Sequence, residues 1–262
     1  MIVLLNSSKT LDFDATVAIS KHTVPEFLEE SALLVEQLRT LSAPAFSKLM
    51  GVSEKLAELN VARYANWQTA AAPANAKPAL LAFKGDIYSG IESAAYADKD
   101  FDFAQQHVRI LSGLYGILRP LDLIQPYRLE MAAKLPTAEG KNLYSFWGNR
   151  ITASLKALLR QEQSGVMVNL CSGEYFKAIQ ADELEATVIT PAFREFRDGT
   201  YRFVTIYAKK ARGLMCNYII QNKLERIEDL KSFDSEGYQY NQKISSDREW
   251  LFTRKDSKRA SN

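Results

Sequence analysis

Three apolar runs in this sequence end in short polar turns that carry amino and carboxyl groups. Lys9 follows residues 2–5, Lys84-Gly85-Asp86 follows residues 80–83, and Ser172-Gly173-Glu174 follows residues 165–170. A lysine beside carboxylates can hold an anion or move a proton, and a desolvated lysine can form a Schiff base with a carbonyl group. The candidate catalytic residues are therefore Lys9, Asp86 and Glu174, although an exposed lysine at a strand end is the plainer reading of each turn.

These turns come together only if the apolar runs are neighbouring parallel strands, because the carboxyl ends of such strands share one edge of the sheet. We therefore predict an α/β protein, a single compact domain over residues 1–262 with a mixed sheet flanked by helices. Helices are predicted from Pro25 to Arg39, with Thr23 as a possible cap, and over residues 143–161. A hairpin is predicted over residues 187–206 around Asp198-Gly199.

Residues 101–131 are the segment richest in glycine, proline and charge. A helix with candidate caps at Asp98 to Asp102 is predicted to begin the segment. Gly113, Gly116, Pro120 and Pro126 then favour a shaped loop, which we expect to form one wall of the site. The hypothesis gives its ionisable side chains two roles, with Arg119 and Arg128 contacting an anion and Asp122 and Glu130 orienting these arginines. Internal salt bridging of the two carboxylates is the alternative.

A helix-hairpin-helix element is predicted over residues 43–67. Residues 49–57, LMGVSEKLA, match the pattern L-P-G-I-G-x-x-x-A at Leu49, Gly51, Val52 and Ala57, with Ser53 in place of the second glycine. In such an element the N–H groups of the turn and of the second helix face a nucleic-acid phosphate. Lys48, Lys55 and Arg63 would add contacts, whereas an ordinary helical hairpin in the core remains the alternative.

The C-terminal part of the chain carries the basic excess. Residues 200–262 have a net charge of +5 and residues 1–199 a net charge of −3. Lys209, Lys210 and Arg212 form a cluster after the predicted hairpin and either face a cleft or lie on a solvated helix face. Residues 233–240 and 250–252 are predicted to be edge strands, and residues 255–262 a disordered tail.

Composition narrows the class of protein further. The apolar runs are far shorter than the roughly 20 residues that span a bilayer, so we expect a cytoplasmic protein without membrane contact. Cys171 and Cys216 lack ligand or disulfide spacing, and His22 and His107 are the only histidines. We therefore predict no metal site and no cofactor, and we expect a monomer while leaving the oligomeric state open.

Six fragments, in this order along the chain, resemble the YaaA peroxide stress protein family: SSKTLDF, AFKGDIYSG, DFDFAQQHVRILSGLYGILRPLDLIQPYRLEM, SGEYFKAI, YAKKARGLM and FDSEGY. The first turn reads NSSKT where the family commonly has SPAKT, which retains Lys9 but alters its turn. The resemblance implies a cytosolic protein that protects against hydrogen peroxide by limiting free iron. It also implies an α/β fold with a helix-hairpin-helix element beside a basic cleft, and DNA binding. Because ligand spacing for iron is lacking, we expect the effect on iron to be indirect.

Two functional hypotheses follow. The first is binding of DNA without strong sequence specificity, with Tyr88, Tyr115, Tyr127 and Tyr175 stacking on bases. The phosphate contacts in this hypothesis come from Gly51 and Ser53 with Lys48, Lys55 and Arg63, and from a groove of Lys9, Lys84, Arg119, Arg128, Lys177, Lys209, Lys210 and Arg212. The second is an enzyme acting on a nucleobase or a small phosphorylated substrate, with Lys9 as the nucleophile.

Overall fold

The structure, a computed structural model, describes residues 1–15 and 19–255. Its α-helices are α1 Leu28–Arg39, α2 Ala43–Met50, α3 Glu54–Asn66, α4 Ala79–Ala82, α5 Asp98–His107, α6 Leu143–Trp147, α7 Arg150–Glu162, α8 Gly173–Phe176 and α9 Thr205–Asn222. Its strands are β1 Ile2–Asn6, β2 Thr10–Leu11, β3 Lys77–Pro78, β4 Phe83–Lys84, β5 Val108–Ser112, β6 Gly116–Leu118, β7 Leu123–Ile124, β8 Val166–Asn169, β9 Thr187–Arg197, β10 Thr200–Arg202, β11 Gln239–Tyr240 and β12 Glu249–Lys255.

A mixed sheet of eight strands organises the fold, with the order β11-β12-β9-β8-β1-β5-β6 and β10 paired to β9. The strands β12, β9, β8, β1 and β5 are parallel neighbours, whereas β6, β10 and β11 pair antiparallel. Every residue of β1 is buried, as expected for an apolar strand covered on both faces of a sheet. The predicted α/β class with a mixed sheet is confirmed.

The helix predicted to begin residues 101–131 is present as α5, but the shaped loop expected after it is wrong for the part that forms strands. The first part of residues 101–131 completes α5, and residues 108–112 form β5, which pairs with β1 along Val3↔Val108 to Asn6↔Leu111. A short run of apolar residues does not distinguish a buried strand from a shaped loop, and the glycines drew attention to the turn that follows. That turn is real, since Gly116 has φ +66° and lies against the Trp147 ring.

Residues 80–83 are also not the strand that was expected. Ala79–Ala82 form one helical turn, and only Phe83–Lys84 are extended, pairing antiparallel with Thr10–Leu11 outside the main sheet. A buried apolar run of four residues fits either element, so its length left the choice open. This small pairing nevertheless delivers the segment after Lys84 to the end of β1.

Other boundaries differ from the predictions in smaller ways. Thr23 does not cap α1, because its hydroxyl donates to Asp122 Oδ1 at 2.6 Å. The helix expected over residues 143–161 is divided into α6 and α7 at Gly148, which has φ +49°. Residues 250–252 lie in β12, an interior strand between β9 and β11, rather than at an edge. The hairpin around Asp198-Gly199 is confirmed as β9 and β10, and residues 256–262 of the expected tail lie outside the described residues.

Helix α9 approaches the turn formed by residues 87–90 so closely that only glycine fits at the contact. A Cβ atom on Gly213 would lie 1.8 Å from the backbone oxygen of Ile87, and one on Gly90 would lie 2.5 Å from Lys210 O. The two backbones therefore touch without intervening side chains. Because Asp86 precedes this turn and Lys209 lies one helical turn before Gly213, the contact also sets the distance between these charges.

We predict that Gly213→Ala lowers the free energy of unfolding by about 1–3 kcal/mol, since the added methyl group forces α9 away from residues 87–90. Thermal unfolding followed by circular dichroism measures the effect. The matched control is Gly173→Ala, also in a helix, where a Cβ atom would meet no atom within 4 Å. Equal unfolding midpoints for the two variants would contradict the contact.

Candidate functional site

A pocket of about 440 Å³ lies at the carboxyl ends of β1 and β8. Because these strands are parallel neighbours, their exits meet there, as the sequence predicted. The Ser172 N–H donates to Asn6 Oδ1 at 2.9 Å and ties the two exits together. The pocket is lined by Asn6, Ser7, Ser8, Lys9, Thr10, Gly85, Asp86, Ile87, Tyr88, Glu130, Ser172, Glu174, Tyr175, Lys209 and Arg212.

The three candidate catalytic residues Lys9, Asp86 and Glu174 all line this pocket. Asp86 arrives through the turn at Gly85, whose φ of +111° favours glycine and whose α-carbon faces Ser8 Oγ, which would lie 2.8 Å from an added Cβ. Glu174 is the second residue of α8, and its Oε1 accepts the Ala132 N–H at 3.2 Å. The expected second strand is absent, yet the pairing of β2 with β4 brings Asp86 to the same place.

Ion pairs already occupy most of the charged groups in the pocket. Lys9 Nζ lies 2.7 Å from Glu130 Oε2, and Lys209 Nζ lies 3.4 Å from Asp86 Oδ2. The Lys9 side chain is 60% exposed, so it is not desolvated, and desolvation was the feature on which its role as a nucleophile depended. Three cationic and three anionic side chains line the pocket, which gives it no net positive charge.

Arg212 differs from the other cations of the pocket. Its electrostatic neighbour among the described residues is the Cys171 thiol, and no carboxylate there pairs with it. Burial lowers the pKa of Arg212 from its usual value. A guanidinium that faces a pocket without a carboxylate partner is suited to bind an anionic group of a ligand through paired N–H donors.

The four tyrosines expected to stack on bases form the floor and interior of this region instead. Tyr88, Tyr115, Tyr127 and Tyr175 are only 1–7% exposed. The Tyr175 hydroxyl accepts from Ser7 Oγ at 3.1 Å, Tyr127 and Ser112 share a hydrogen bond of 2.7 Å, and Tyr88 donates to Asn6 O at 3.1 Å. Burial raises the pKa of these phenols, and a base cannot stack on rings enclosed in this way unless the protein rearranges.

Comparisons with known proteins identify the family of this chain. A family model described as "Peroxide stress protein YaaA" matches residues 1–244. A "UPF0246 protein" of Colwellia psychrerythraea is 48% identical over 257 residues, which cover 98% of this chain and 100% of that protein. The chain belongs to the YaaA peroxide stress protein family.

In this YaaA family member the eight cations of the expected groove do not converge. Only Lys9, Lys209 and Arg212 line the pocket. Six of the eight are paired with carboxylates, in the pairs Lys9–Glu130, Lys84–Asp12, Arg119–Asp122, Arg128–Glu130, Lys209–Asp86 and Lys210–Glu236. The seventh, Lys177, lies 5.2 Å from the centre of the Tyr144 ring. The internal salt bridging considered for Asp122 and Glu130 is therefore what the structure contains.

The segment over residues 43–67 consists of α2, a tight turn and α3. Gly51 ends α2 with φ +60°, a left-handed conformation that favours glycine, and α3 begins at Glu54. Lys48, Gly51, Ser53 and Lys55 are exposed. The segment lies outside the lining of the pocket, and it is joined to the wall of the pocket through the Tyr64 hydroxyl, which donates to Arg128 O at 2.7 Å.

Arg63, the remaining cation of this segment, is turned partly into the protein. Its Nη1 donates to Asn60 Oδ1 at 3.3 Å, and burial lowers its pKa. It therefore does not stand beside Lys48 and Lys55 as an exposed charge. The two lysines are the cations that flank the turn.

The cysteines are the residues that invite attention in a peroxide stress protein, because thiolates react with peroxide. Cys171 and Cys216 are both buried, and burial raises the pKa of each thiol to about 12. Cys171 also donates from Sγ to Asn169 Oδ1 at 2.8 Å. At neutral pH both groups are therefore thiols rather than thiolates, which is the state least reactive towards peroxide.

Within residues 1–15 and 19–255 no three His, Cys, Asp or Glu side chains are grouped so that they could hold a metal ion. In the same ranges, no helix has both the length and the apolar character needed to cross a membrane. Asn6, whose side-chain amide joins the exits of β1 and β8, was not among the site residues predicted from the sequence. A polar residue at the end of an apolar strand was its only signal.

Proposed function

We propose that this peroxide stress protein binds DNA, and that the turn between α2 and α3 contacts the phosphate backbone. The observation that supports this proposal is the geometry of an exposed left-handed glycine, Gly51, which two residues separate from a helix of 13 residues. The contact would be independent of sequence, because only backbone groups and two lysines face the phosphate.

The first turn of α3 has the donors that such a contact needs. The first N–H groups of any helix lack intrahelical acceptors, and within this described segment the Ser53 side chain makes no capping hydrogen bond to them. The partial positive charge of the helix N-terminus favours an anion there. The carboxylates of Glu54 and Glu58 would repel the phosphate. The positive charges of Lys48 and Lys55 have to offset this repulsion.

We predict that Lys48→Glu combined with Lys55→Glu weakens duplex binding and makes the slope of log K against log[salt] less negative by about 1.8, because two phosphate contacts are lost. Fluorescence anisotropy of a labelled duplex at several salt concentrations measures both quantities. Lys141→Glu with Lys243→Glu is the matched control, since it changes the charge equally at exposed lysines outside the turn. Equal losses in both pairs of variants, or an affinity that does not depend on salt, would sink the proposal.

We further propose that the protein limits free iron without binding iron itself. The sequence has two histidines, and one of them, His107, lies with Nδ1 3.0 Å from the backbone oxygen of Met1. The carboxylates of the pocket are balanced by cations that repel Fe²⁺. In equilibrium dialysis we expect equal Fe(II) concentrations on the two sides of the membrane, and stoichiometric tight binding would contradict this.

A second candidate function is an enzyme acting on a nucleobase or a small phosphorylated substrate, and the pocket favours it. Lysines and carboxylates converge in one cavity of about 440 Å³ instead of spreading along a groove. Arg212 would hold the phosphate, and Asp86 and Glu174 would be the groups available for proton transfer. Lys9 would bind or orient the substrate rather than attack it, because it is exposed and paired with Glu130.

We predict that thymidine 5′-monophosphate binds to the pocket and that Arg212→Ala lowers its association constant by about ten-fold or more, since a charge-assisted contact contributes about 1.5–3 kcal/mol. Isothermal titration calorimetry measures the constant. Arg226→Ala, at an exposed arginine outside the pocket, is the control. Thymidine without phosphate binding equally well, or equal constants for the two variants, would exclude Arg212 as the phosphate site.

A further inference from the structure

Aromatic side chains are exposed at one place in the described part of the chain. Eight large hydrophobic side chains there are exposed, and the three aromatic ones among them are Phe196 at 39%, Tyr201 at 44% and Phe203 at 52%. All three belong to the hairpin of β9 and β10 or to the residue just after it. A cluster of exposed aromatic rings within eight residues marks an interaction surface rather than chance exposure.

The pairing of β9 with β10 places these rings on one face of the hairpin. Tyr201 is the register partner of Phe196, and their ring centres are 5.1 Å apart. Phe203 follows Tyr201 by two residues, and the Arg194 guanidinium lies 5.4 Å from the centre of the Phe203 ring. We call this set of four side chains, Arg194, Phe196, Tyr201 and Phe203, the aromatic face.

Positive charge borders the aromatic face. Lys255 is the register partner of Phe196 on β12, and Arg202 follows Tyr201. Three carboxylates lie nearby, and each has a cationic partner. Glu195 is buried and pairs with Arg254, and Glu236 pairs with Arg254 and Lys210. The third, Asp198, lies at the turn, with Oδ2 4.0 Å from Arg202 Nη1. A partner of this surface must therefore have flat apolar groups and negative charge.

A groove beside the aromatic face has room for such a partner. It measures about 510 Å³ and is lined by Phe196, Tyr201, Glu236, Gly237, Gln239, Thr253, Arg254 and Lys255. The Glu236 carboxylate in this lining is already paired with Arg254 and Lys210. Amide and hydroxyl groups beside two aromatic rings can hold both faces and edges of a planar polar molecule. The shape and chemistry fit one nucleotide with its base on the rings and its phosphate towards Lys255.

We propose that the aromatic face and its groove bind unpaired nucleotides of single-stranded DNA, with bases stacked on Phe196, Tyr201 and Phe203. This inference rests on the proposed DNA binding and deepens it, because the turn at Gly51 holds duplex backbone while the aromatic face takes exposed bases. Stacking is available to every base, so the contact selects single strands and not a sequence. Charge favours a strand of DNA over an apolar protein segment.

The aromatic face corresponds to a pattern in the sequence that was not singled out above. Residues 193–203 read FREFRDGTYRF, in which aromatic and arginine residues alternate around the turn. Since successive side chains of a strand point to opposite faces, this pattern puts Phe196 and Arg194 on one face of β9 and Glu195 on the other. The proposal therefore assigns base stacking to the exposed rings of the aromatic face and not to the buried tyrosines below the pocket.

The test compares three labelled ligands by fluorescence anisotropy: oligo-dT, an abasic strand of the same length, and a duplex. We expect oligo-dT to bind more tightly than the abasic strand. The variant Tyr201→Ser with Phe203→Ser should weaken oligo-dT binding by about ten-fold or more and leave duplex binding unchanged. The control is Val24→Ser with Leu33→Ser, which removes two exposed apolar side chains outside both proposed contact surfaces, at 54% and 58% exposure, and should change neither affinity.

Each other outcome overturns the inference in a recognisable way. Equal binding of oligo-dT and the abasic strand would show that bases are not stacked. Unchanged oligo-dT affinity in the Tyr201→Ser, Phe203→Ser variant would place the strand elsewhere, and a dimer that this variant dissociates in light scattering would make the face a contact between copies. The Lys48→Glu, Lys55→Glu variant tests only the duplex contact at the Gly51 turn, and the Tyr201→Ser, Phe203→Ser variant tests only the contact with bases. Failure of one proposal can therefore be distinguished from failure of the other. Because the substituted side chains are exposed, unchanged thermal unfolding is expected and serves as the folding control.

Discussion

The burial of β1 between β5 and β8 is the constraint on which the rest of the structure depends. The four apolar residues of β1, Ile2 to Leu5, have no exposed face and therefore lie inside a sheet that is covered on both sides. Parallel pairing then places the exits of β1 and β8 at one edge, where the chain can turn into polar residues. The hydrogen bond from Ser172 N to Asn6 Oδ1 joins these exits, so the position of Lys9 relative to Glu174 follows from strand pairing.

The net charge of the pocket depends on which side chains the fold brings together, and not on the basic excess of the C-terminal part of the sequence. Lysines brought to the edge of the sheet meet carboxylates brought there by the same topology, and the pairs Lys9–Glu130 and Lys209–Asp86 result. A cation that already has a partner contributes less to binding a phosphate, since the ligand has to compete with that carboxylate. Arg212 has no such competitor among the described residues, so its guanidinium is the cation of the pocket most available to a phosphate.

The sequence predicted the features that depend on local pattern. The buried strand at the N-terminus and the β9–β10 hairpin around Asp198-Gly199 follow from apolar runs and turn residues, and the structure contains both. Lys9, Asp86 and Glu174 do meet in one pocket, but Asp86 reaches it through the pairing of β2 with β4 and not through the expected sheet strand. Features that depend on long-range pairing were not accessible. Residues 108–112 became a sheet strand because β1 offers them a partner, and residues 79–82 became helical although their apolar run fits a strand equally well.

Which aromatic side chains are buried could likewise not be predicted from the local sequence pattern. Tyr127 and Tyr201 are both tyrosines beside arginines, yet Tyr127 lies beneath the pocket and Tyr201 on an exposed edge strand. The difference comes from tertiary packing. Tyr127 is covered by Tyr115 and by the turn that carries Ser7, whereas Tyr201 lies on β10, which pairs with β9. The described residues therefore present two surfaces of different chemistry. One is a pocket with balanced charge and an arginine that has no carboxylate partner among them, and the other is a hairpin with exposed rings bordered by Arg202 and Lys255. The ligand proposed for both surfaces combines a phosphate, which the arginine would hold, with a planar base, which the rings would stack on.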